Sequence, residues 1–159
     1  MLHILSTLIS ATALFSFIAS AQAATGTQFD DLRDRLLAGT PTVSISHLDK
    51  CGHPAGEKLP AAMPIGGLTI RDFMILPGPK PAIAYADRHL TVMPDGTPVL
   101  ELVQYRITPN DMATVTARRL SPTTYKQLSD PMVFECPLGT GQQFMPETGV
   151  IPATGGPGK

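Results

Sequence analysis

The chain contains 159 residues, of which 43% are hydrophobic and 16% are charged, a balance typical of a globular domain and not of a disordered chain. Its 12 Lys and Arg residues against 13 Asp and Glu residues give a formal net charge of −1, which excludes the strongly basic character expected of nucleic-acid or anionic-membrane binding. The sequence contains no nucleotide-binding loop, zinc-protease helix motif or lipase nucleophile elbow. Composition therefore predicts one globular domain and names no activity.

The first segment of the chain has the features of an export signal. Residues 1–23 contain no Lys, Arg, Asp or Glu, and residues 4–18 form a nearly continuous apolar run that is short for a membrane-spanning helix. Ala21, Gln22 and Ala23 then give the small-x-small pattern that signal peptidase cleaves. We predict a signal peptide at residues 1–23, a mature protein in the periplasm or secreted, and no stable membrane span after cleavage.

Helical spacing of apolar residues occurs at the start of the predicted mature chain. Phe29, Leu32 and Leu36 recur at steps of three and four residues, the pattern of one buried helix face. Thr27 can cap the first turn, and Gly39 can end the last one. The sequence predicts one short amphipathic helix that packs on a core.

From residue 42 onward, apolar and polar residues alternate with the period of two that is typical of β-strands. Six or seven strands and a short edge strand are predicted at residues 42–48, 68–76, 83–93, 99–107, 113–118, 121–125, 132–136 and 139–144. Asp95 and Gly96 mark the clearest hairpin turn, because this pair supplies positive φ angles. Connections of hairpin length indicate a mainly β fold, an antiparallel meander that forms a small barrel or a sandwich and carries one short N-terminal α-helix.

The predicted domain spans residues 24–145. Residues 52–64 contain three prolines and two glycines, which predict a loop between the first two strands. From residue 146 onward Gly, Pro and Thr dominate, and residues 146–159 are predicted to form a disordered tail.

Cys51 and Cys136 are the only cysteines, and both lie in the part of the chain that is predicted to be exported. Disulfides form readily in an oxidising compartment, so we predict a bond between them. Closing the long loop between the two residues would remove conformational entropy from the unfolded chain worth about 4 to 5 kcal/mol. Two free thiols, or one nucleophilic thiolate, are the alternatives.

Short motifs follow one another in a characteristic order along the predicted mature chain. They lie at residues 29–32 (Phe-Asp-Asp-Leu), 48–51 (Leu-Asp-Lys-Cys), 66–68 (Gly-Gly-Leu), 86–92 (Ala-Asp-Arg-His-Leu-Thr-Val), 95–96, 105–106, 120–125 and 134–139 (Phe-Glu-Cys-Pro-Leu-Gly). Together they resemble the VirK protein family, small exported proteins of plant-associated and host-associated Gram-negative bacteria. The resemblance implies a role in host interaction and a cysteine pair at Cys51 and Cys136, and it implies no known biochemical activity or catalytic residue.

One candidate site is a set of potential metal ligands at every second residue. His47, Asp49, Cys51 and His53 would point the same way if the segment were extended, and zinc or copper accepts such ligands. The set lacks a recognised ligand frame, its cysteine has a disulfide partner, and Pro54 disfavours a straight strand. We therefore expect no metal and no cofactor, and keep a metal-binding carrier as the alternative.

A second candidate site lies on the strand predicted at residues 83–93, where Tyr85, Asp87 and His89 share one face. A carboxylate beside an imidazole is the arrangement that a general base needs, but no nucleophile motif accompanies it. We interpret the three residues as contacts for a ligand or partner.

The sequence thus predicts a monomeric, exported, non-enzymatic binding or interaction protein associated with virulence. Its partner would be a small apolar ligand, if the fold contains an apolar cavity, or an unknown protein, if the fold exposes an apolar patch. The alternative is a small exported enzyme or metal-binding carrier, using Asp87 with His89, or His47 with Asp49 and His53. A deep polar pocket that converges on those groups would favour the alternative.

Overall fold

The computed structural model describes residues 27–54, 56 and 63–147, so the predicted signal peptide and residues 148–159 of the predicted tail lie outside it. Helix α1 spans Gln28–Leu37, and a single 3-10 turn spans Leu48–Lys50. The strands are β1 (Thr42–His47), β2 (Ile65–Ile70), β3 (Phe73–Leu76), β4 (Ala82–Val92), β5 (Pro98–Thr108), β6 (Met112–Leu120), β7 (Met132–Pro137) and β8 (Gln142–Pro146). Neither described helix is long and apolar enough to cross a bilayer.

The strands form two antiparallel sheets. The small sheet has the order β2-β1-β8, and the wide sheet has the order β3-β4-β5-β6-β7. The mainly β, antiparallel fold class with one α-helix is confirmed, and of its two forms the arrangement fits a sandwich and not a closed barrel. The wide sheet is a meander, but the chain then returns to the small sheet, where β8 pairs with β1.

Two strand predictions were wrong in detail. The strand expected at residues 68–76 is interrupted at Arg71 and Asp72, where the chain passes from the small sheet into the wide one. Residues 121–125 form a turn, because the Tyr125 N–H donates to Ser121 O at 2.8 Å and Tyr125 has a φ of 56°. A left-handed backbone conformation at a bulky residue ends regular strand geometry.

The predicted helix is confirmed with its caps. The Asp30 N–H donates to Thr27 Oγ1 at 3.2 Å, and Gly39 has a φ of 70°, which glycine adopts without a steric penalty. Phe29, Leu32 and Leu36 are buried in the hydrophobic core that the two sheets share. Burial of an amphipathic face, more than helix propensity, stabilises so short a helix.

Buried polar side chains form a seam between the sheets, hereafter the polar seam. Gln142 of β8 donates from Nε2 to Ser44 Oγ at 2.7 Å and accepts at Oε1 from Ser46 Oγ at 2.8 Å. Ser44 Oγ also lies 2.8 Å from the hydroxyl of Tyr85 in the wide sheet. Each group has a partner, so burying these polar atoms does not leave their hydrogen-bonding capacity unused. The seam fixes the small sheet against the wide one.

The Sγ atoms of Cys51 and Cys136 lie 2.07 Å apart, the distance of a disulfide bond, and join residues separated by 85 positions. Beside the sulfurs, Gly52 and Glu135 exchange two backbone hydrogen bonds of 2.8 Å each. The segment that follows the 3-10 turn is thereby attached to β7 of the wide sheet.

Ordered contacts reach past the domain boundary predicted at residue 145. Pro146 ends β8 opposite Thr42, and the Glu147 N–H donates to Pro41 O at 2.9 Å.

Candidate functional site

The register of the wide sheet places its inward side chains in rows across four strands. Two rows are mostly buried: Ile83, Ile107, Ala113 and Cys136; and Tyr85, Tyr105, Val115 and Phe134. The next row has a charged residue only at its β4 end: Asp87, Val103, Ala117 and Met132. The last row spans three strands and is entirely polar: His89, Glu101 and Arg119. The inward face therefore changes from apolar and buried to polar and accessible along the strands.

A cavity of about 450 Å³ lies between this face and strand β2, and we call it the inter-sheet cleft. Its size is within the usual range of small-molecule pockets. Its lining comes from both sheets and from the loop before β2: Ser46, Leu48, Met63, Pro64, Gly66, Gly67, Leu68, Asp87, His89, Glu101, Val103, Tyr105, Val115, Ala117, Arg119, Met132 and Phe134. The lining is mostly apolar, and its charged groups are confined to the two outer rows.

Glycine at position 66 leaves room in the cleft. Gly66 pairs with the inward-facing Ser46, so a side chain at position 66 would also point inward. A Cβ atom built on Gly66 meets no atom within 4 Å, and the residue does not have a left-handed φ. Any larger residue at this position would therefore occupy the cleft without straining the strand.

An ion-pair network of three residues lies at the polar end of the cleft. Glu101 accepts from Arg119 Nε at 2.9 Å through Oε1, and its Oε2 lies 3.1 Å from His89 Nε2. The Glu101 side chain is 20% exposed, against 51% for His89. Both carboxylate oxygens are thus occupied, and the carboxylate beside the imidazole is Glu101 and not the predicted Asp87.

The structure separates Tyr85 from the other two predicted contact residues. Tyr85 is buried, and its ring stacks on Tyr105 at a centroid distance of 4.6 Å. Burial raises the pKa of Tyr85 well above its ordinary value, and the hydrogen bond with Ser44 opposes this only in part. Burial also raises the pKa of Tyr105, which lines the cleft; a hydrogen bond with Ser46 opposes the rise, and the charge of Asp87 adds to it.

The raised pKa of Tyr85 predicts a loss of stability in alkali. Below about pH 10 the Tyr85 phenol is protonated in both the folded and the unfolded state, so its contribution to the free energy of unfolding should be fully present. Above about pH 10 the free energy of unfolding should fall, because the phenol then ionises only in the unfolded chain. One such phenol gives a slope of about 1.4 kcal/mol per pH unit. Urea unfolding from about pH 8 to 11 measures it, and Tyr85→Phe should remove that part of the slope. An unchanged slope in the variant would contradict the assignment.

The potential metal ligands do not converge. The 3-10 turn breaks the extended segment between His47 and Cys51, and Cys51 is bonded to Cys136. Asp49 instead lies 3.0 Å from Lys50 Nζ, whose hydrogen bond lowers the pKa of Asp49. Within the part of the chain that the structure describes, no three His, Cys, Asp or Glu side chains come together at a metal-sized site. The described part of the chain therefore does not bring His47, Asp49, Cys51 and His53 together as metal ligands.

A larger hollow of about 590 Å³ lies on the wide sheet, away from β2. The small side chains Ala84, Ala86, Thr114 and Thr116 form much of its floor. All of its lining belongs to the wide sheet or to the residue just before β3, so among the described residues the small sheet does not line it. The inter-sheet cleft has two walls and is the better candidate site.

Comparison with known proteins identifies the family. The family model described as VirK protein matches residues 25–125, more than half of the chain. The chain belongs to the VirK protein family. The resemblance inferred from the order of short motifs is therefore confirmed.

Two further proteins and one solved structure resemble this chain over more than two thirds of its length. It is 28% identical to the uncharacterized protein y4wH of Sinorhizobium fredii, over 91% of this chain and 97% of that protein. It is also 28% identical to an uncharacterized protein encoded in the pinF2 3′ region of Rhizobium radiobacter, over 69% of this chain and 73% of that one. The crystal structure of a VirK family protein from Legionella pneumophila matches with a TM-score of 0.64 and 22% identity, over 74% of this chain and 94% of that chain, which shows a shared fold.

Two of the motifs that resemble the VirK family line the inter-sheet cleft. Residues 66–68 form the β2 wall, and Asp87 and His89 of the motif at 86–92 belong to the opposite wall. Sequence reasoning missed Glu101 and Arg119. Alternation along the strand predicted at residues 99–107 places Glu101 on the inward face, whereas Arg119 lies just beyond the strand predicted at residues 113–118. Only the cross-strand register brings both residues to His89.

Proposed function

We propose that this VirK protein is an exported, non-enzymatic binding protein that receives an apolar part of its ligand in the inter-sheet cleft. The observation that carries the proposal is a two-walled cavity of about 450 Å³ with mostly apolar lining and charged groups at one end. Pockets of this composition hold a ligand by apolar contact and orient it with a few polar groups. Location in the periplasm or outside the cell is supported by the signal-like residues 1–23 and by the disulfide. A role in host interaction rests on the family resemblance.

Binding is favoured over catalysis by the groups in the cleft. A general base needs a free proton acceptor beside a reacting group. Both oxygens of Glu101 are already engaged by Arg119 and His89. Asp87 makes no ion pair among the described residues, but it is not the carboxylate beside the His89 imidazole, so the predicted pair of Asp87 with His89 is not formed. The Ser46 hydroxyl donates to Gln142. These side chains hold one another in place, which suits a fixed recognition surface.

The charges in the cleft favour a neutral or cationic ligand over an anionic one. Asp87 and Glu101 contribute two carboxylates; Glu101 is already paired with Arg119 and His89, whereas Asp87 makes no ion pair among the described residues. In a partly enclosed site, an unbalanced carboxylate repels a second anion. The apolar part of the ligand should therefore carry no acidic group next to the ion-pair network.

Binding of N-phenyl-1-naphthylamine, a neutral apolar dye, tests the cleft. The mature protein should bind the dye with enhanced fluorescence, and it should bind 1-anilinonaphthalene-8-sulfonate more weakly, because the sulfonate adds a negative charge. Gly66→Leu should lower the affinity for the neutral dye by at least about tenfold, because a leucine side chain fills the cleft. Fluorescence titration measures both dyes.

Thr69→Leu is the matched control for the blocked cleft. Thr69 lies on the same strand but is not among the residues that line the cleft. This variant should bind the neutral dye as the parent protein does, and both variants should keep the parent far-ultraviolet circular dichroism spectrum. Equal affinity of the parent protein and Gly66→Leu for the neutral dye would contradict the proposal that the cleft is the binding site.

A further inference from the structure

Asp87 is the only charged side chain of the inter-sheet cleft that has no charged partner among the described residues. His89, Glu101 and Arg119 form the ion-pair network, whereas the Asp87 carboxylate lies in no ion pair. A carboxylate that is not held in an ion pair can accept hydrogen bonds from a ligand. Asp87 is therefore the charge in the cleft that a ligand would meet.

Asp87 stands at one end of a row of apolar side chains that crosses the wide sheet. It lies directly opposite Val103 of β5, and Ala117 of β6 and Met132 of β7 continue the row. All four residues line the inter-sheet cleft. Neighbouring strands are about 4.8 Å apart, so the row extends about 14 Å from β4 to β7. The cleft therefore contains a track with a carboxylate at one end and apolar side chains along the rest.

The cleft gives this row apolar neighbours on two sides. On the core side, the adjacent row presents Tyr105, Val115 and Phe134. Across the cleft, Leu68 of β2 and Met63 of the preceding loop belong to the opposite wall. An apolar chain laid along the row would leave water and contact apolar side chains of both walls, which favours binding. The space above the row therefore suits an apolar chain whose polar end lies at β4.

The charge of Asp87 is not balanced on its other side either. Asp87 also lines a small hollow of about 260 Å³ together with Arg71 and Asp72, so two carboxylates border this hollow against one guanidinium. Inside the cleft, burial raises the pKa of Tyr105, and the charge of Asp87 adds to the rise. A single carboxylate provides too few ligands for a metal ion but pairs well with an ammonium group, through charge-assisted hydrogen bonds. The complement of Asp87 is therefore an organic cation.

We propose that the ligand of the inter-sheet cleft is a cationic amphiphile, a molecule with one ammonium group and one apolar chain. The ammonium group donates hydrogen bonds to Asp87, and the chain extends along Val103 and Ala117 toward Met132. This inference rests on the proposed function, because it assigns a chemical class to the ligand of the same cleft. An ammonium group gains a charge-assisted hydrogen bond, a hydroxyl group gains a neutral one, and a carboxylate is repelled by Asp87.

Three compounds with the same decyl chain test the polar group of the ligand. Decylammonium, decanol and decanoate each compete with N-phenyl-1-naphthylamine for the mature protein at neutral pH, below the concentrations at which they form micelles. Decylammonium should bind at least about threefold more tightly than decanol, the gain expected of an ion pair in a site open to water. Decanoate should bind more weakly than decanol, because its charge has the same sign as that of Asp87. The loss of dye fluorescence measures all three affinities.

Two variants separate the carboxylates that lie near the proposed ammonium group. Asp87→Asn should bind decylammonium and decanol with equal affinity, because asparagine carries no charge. Asp72 lines the adjoining hollow but is not among the residues that line the cleft. Asp72→Asn loses the same charge and should keep the preference of the parent protein for decylammonium. Both variants should bind the neutral dye as the parent protein does, which reports that the cleft is intact.

A series of alkylammonium chains tests where the apolar part lies. From hexylammonium to decylammonium, each added methylene should raise the affinity by up to about fourfold, because it covers a further part of the apolar row. Dodecylammonium and tetradecylammonium should gain much less per methylene, because the row ends at Met132 on β7, the last strand of the wide sheet. An undiminished gain beyond decylammonium would contradict the placement of the chain along the row.

Three results would overturn the inference and leave the proposed function standing. One is equal affinity of the parent protein for the three decyl compounds, or no displacement of the bound dye by any of them. Another is tighter binding of decanoate than of decylammonium, which would assign the polar group of the ligand to Arg119. The third is an unchanged preference for decylammonium in Asp87→Asn. Failure of the parent protein to bind the neutral dye would count against the proposed function itself.

Discussion

Reduction of the bond between Cys51 and Cys136 is expected to lower the free energy of unfolding by about 4 to 5 kcal/mol. The bond closes a loop between residues 85 positions apart, and no free cysteine lies among the described residues. A long closed loop restricts the unfolded chain far more than the folded one, so its opening favours unfolding. Urea unfolding with and without tris(2-carboxyethyl)phosphine measures the difference as a shift of the midpoint.

The Cys51→Ala/Cys136→Ala variant is the control for this experiment. It should unfold at about the midpoint of the reduced parent protein, and the reductant should not change it. Cys136 is completely buried, so alanine at this position also tests whether the surrounding packing depends on the sulfur. Coincident midpoints for the oxidised parent and the double variant would show that the bond contributes nothing to stability.

Replacement of Gln142 by alanine is expected to lower the free energy of unfolding by about 2 to 4 kcal/mol. Gln142 is completely buried and bonds to Ser44, Ser46 and, at 3.1 Å, the Ile45 carbonyl. Its removal takes away partners of both hydroxyls and leaves a cavity between the sheets. Unpaired buried polar groups and lost volume each cost stability, so the two effects add.

Gln143→Ala is the matched control, because the neighbouring residue has the same side chain on the other face of β8. Its Nε2 donates to Gly139 O at 3.1 Å in an exposed position. The expected loss is below about 1 kcal/mol. Chemical denaturation of both variants distinguishes the two positions, and equal losses would contradict the role assigned to the polar seam.

Local signals in the sequence were sufficient for much of the fold. The helix was predicted from apolar spacing and from Thr27, and the structure has both the buried face and the cap. The hairpin was predicted from Asp95 and Gly96, and Gly96 has a φ of 85°. These features depend on residues within one turn of each other, so short segments contain the information.

The buried face of β1 could not be predicted from its alternation. Thr42, Ser44 and Ser46 are buried, whereas Val43 and Ile45 on the opposite face are only half-buried. A period of two identifies two faces but does not say which of them is inside. The choice depends on distant residues that satisfy the hydroxyls.

The candidate site could be predicted only in part, because it too depends on residues that are distant in the sequence. Asp87 and His89 follow from the strand pattern and do line the cleft, and Tyr85 shares their face but is buried beneath it. Glu101 and Arg119 join His89 only through pairing of three strands. Cross-strand register is a property of the assembled sheet, and a single strand does not reveal it.

The length of the β4–β5 hairpin governs how far the cleft reaches beyond the core. The polar rows lie toward the tip of this hairpin, while the buried rows lie at its base. Insertion or deletion of two residues in each strand would preserve the direction of every side chain, whereas a change of one would turn the inward face outward. Related proteins could therefore acquire deeper or shallower binding sites by paired steps of two residues, with the disulfide, the helix and the polar seam left as they are.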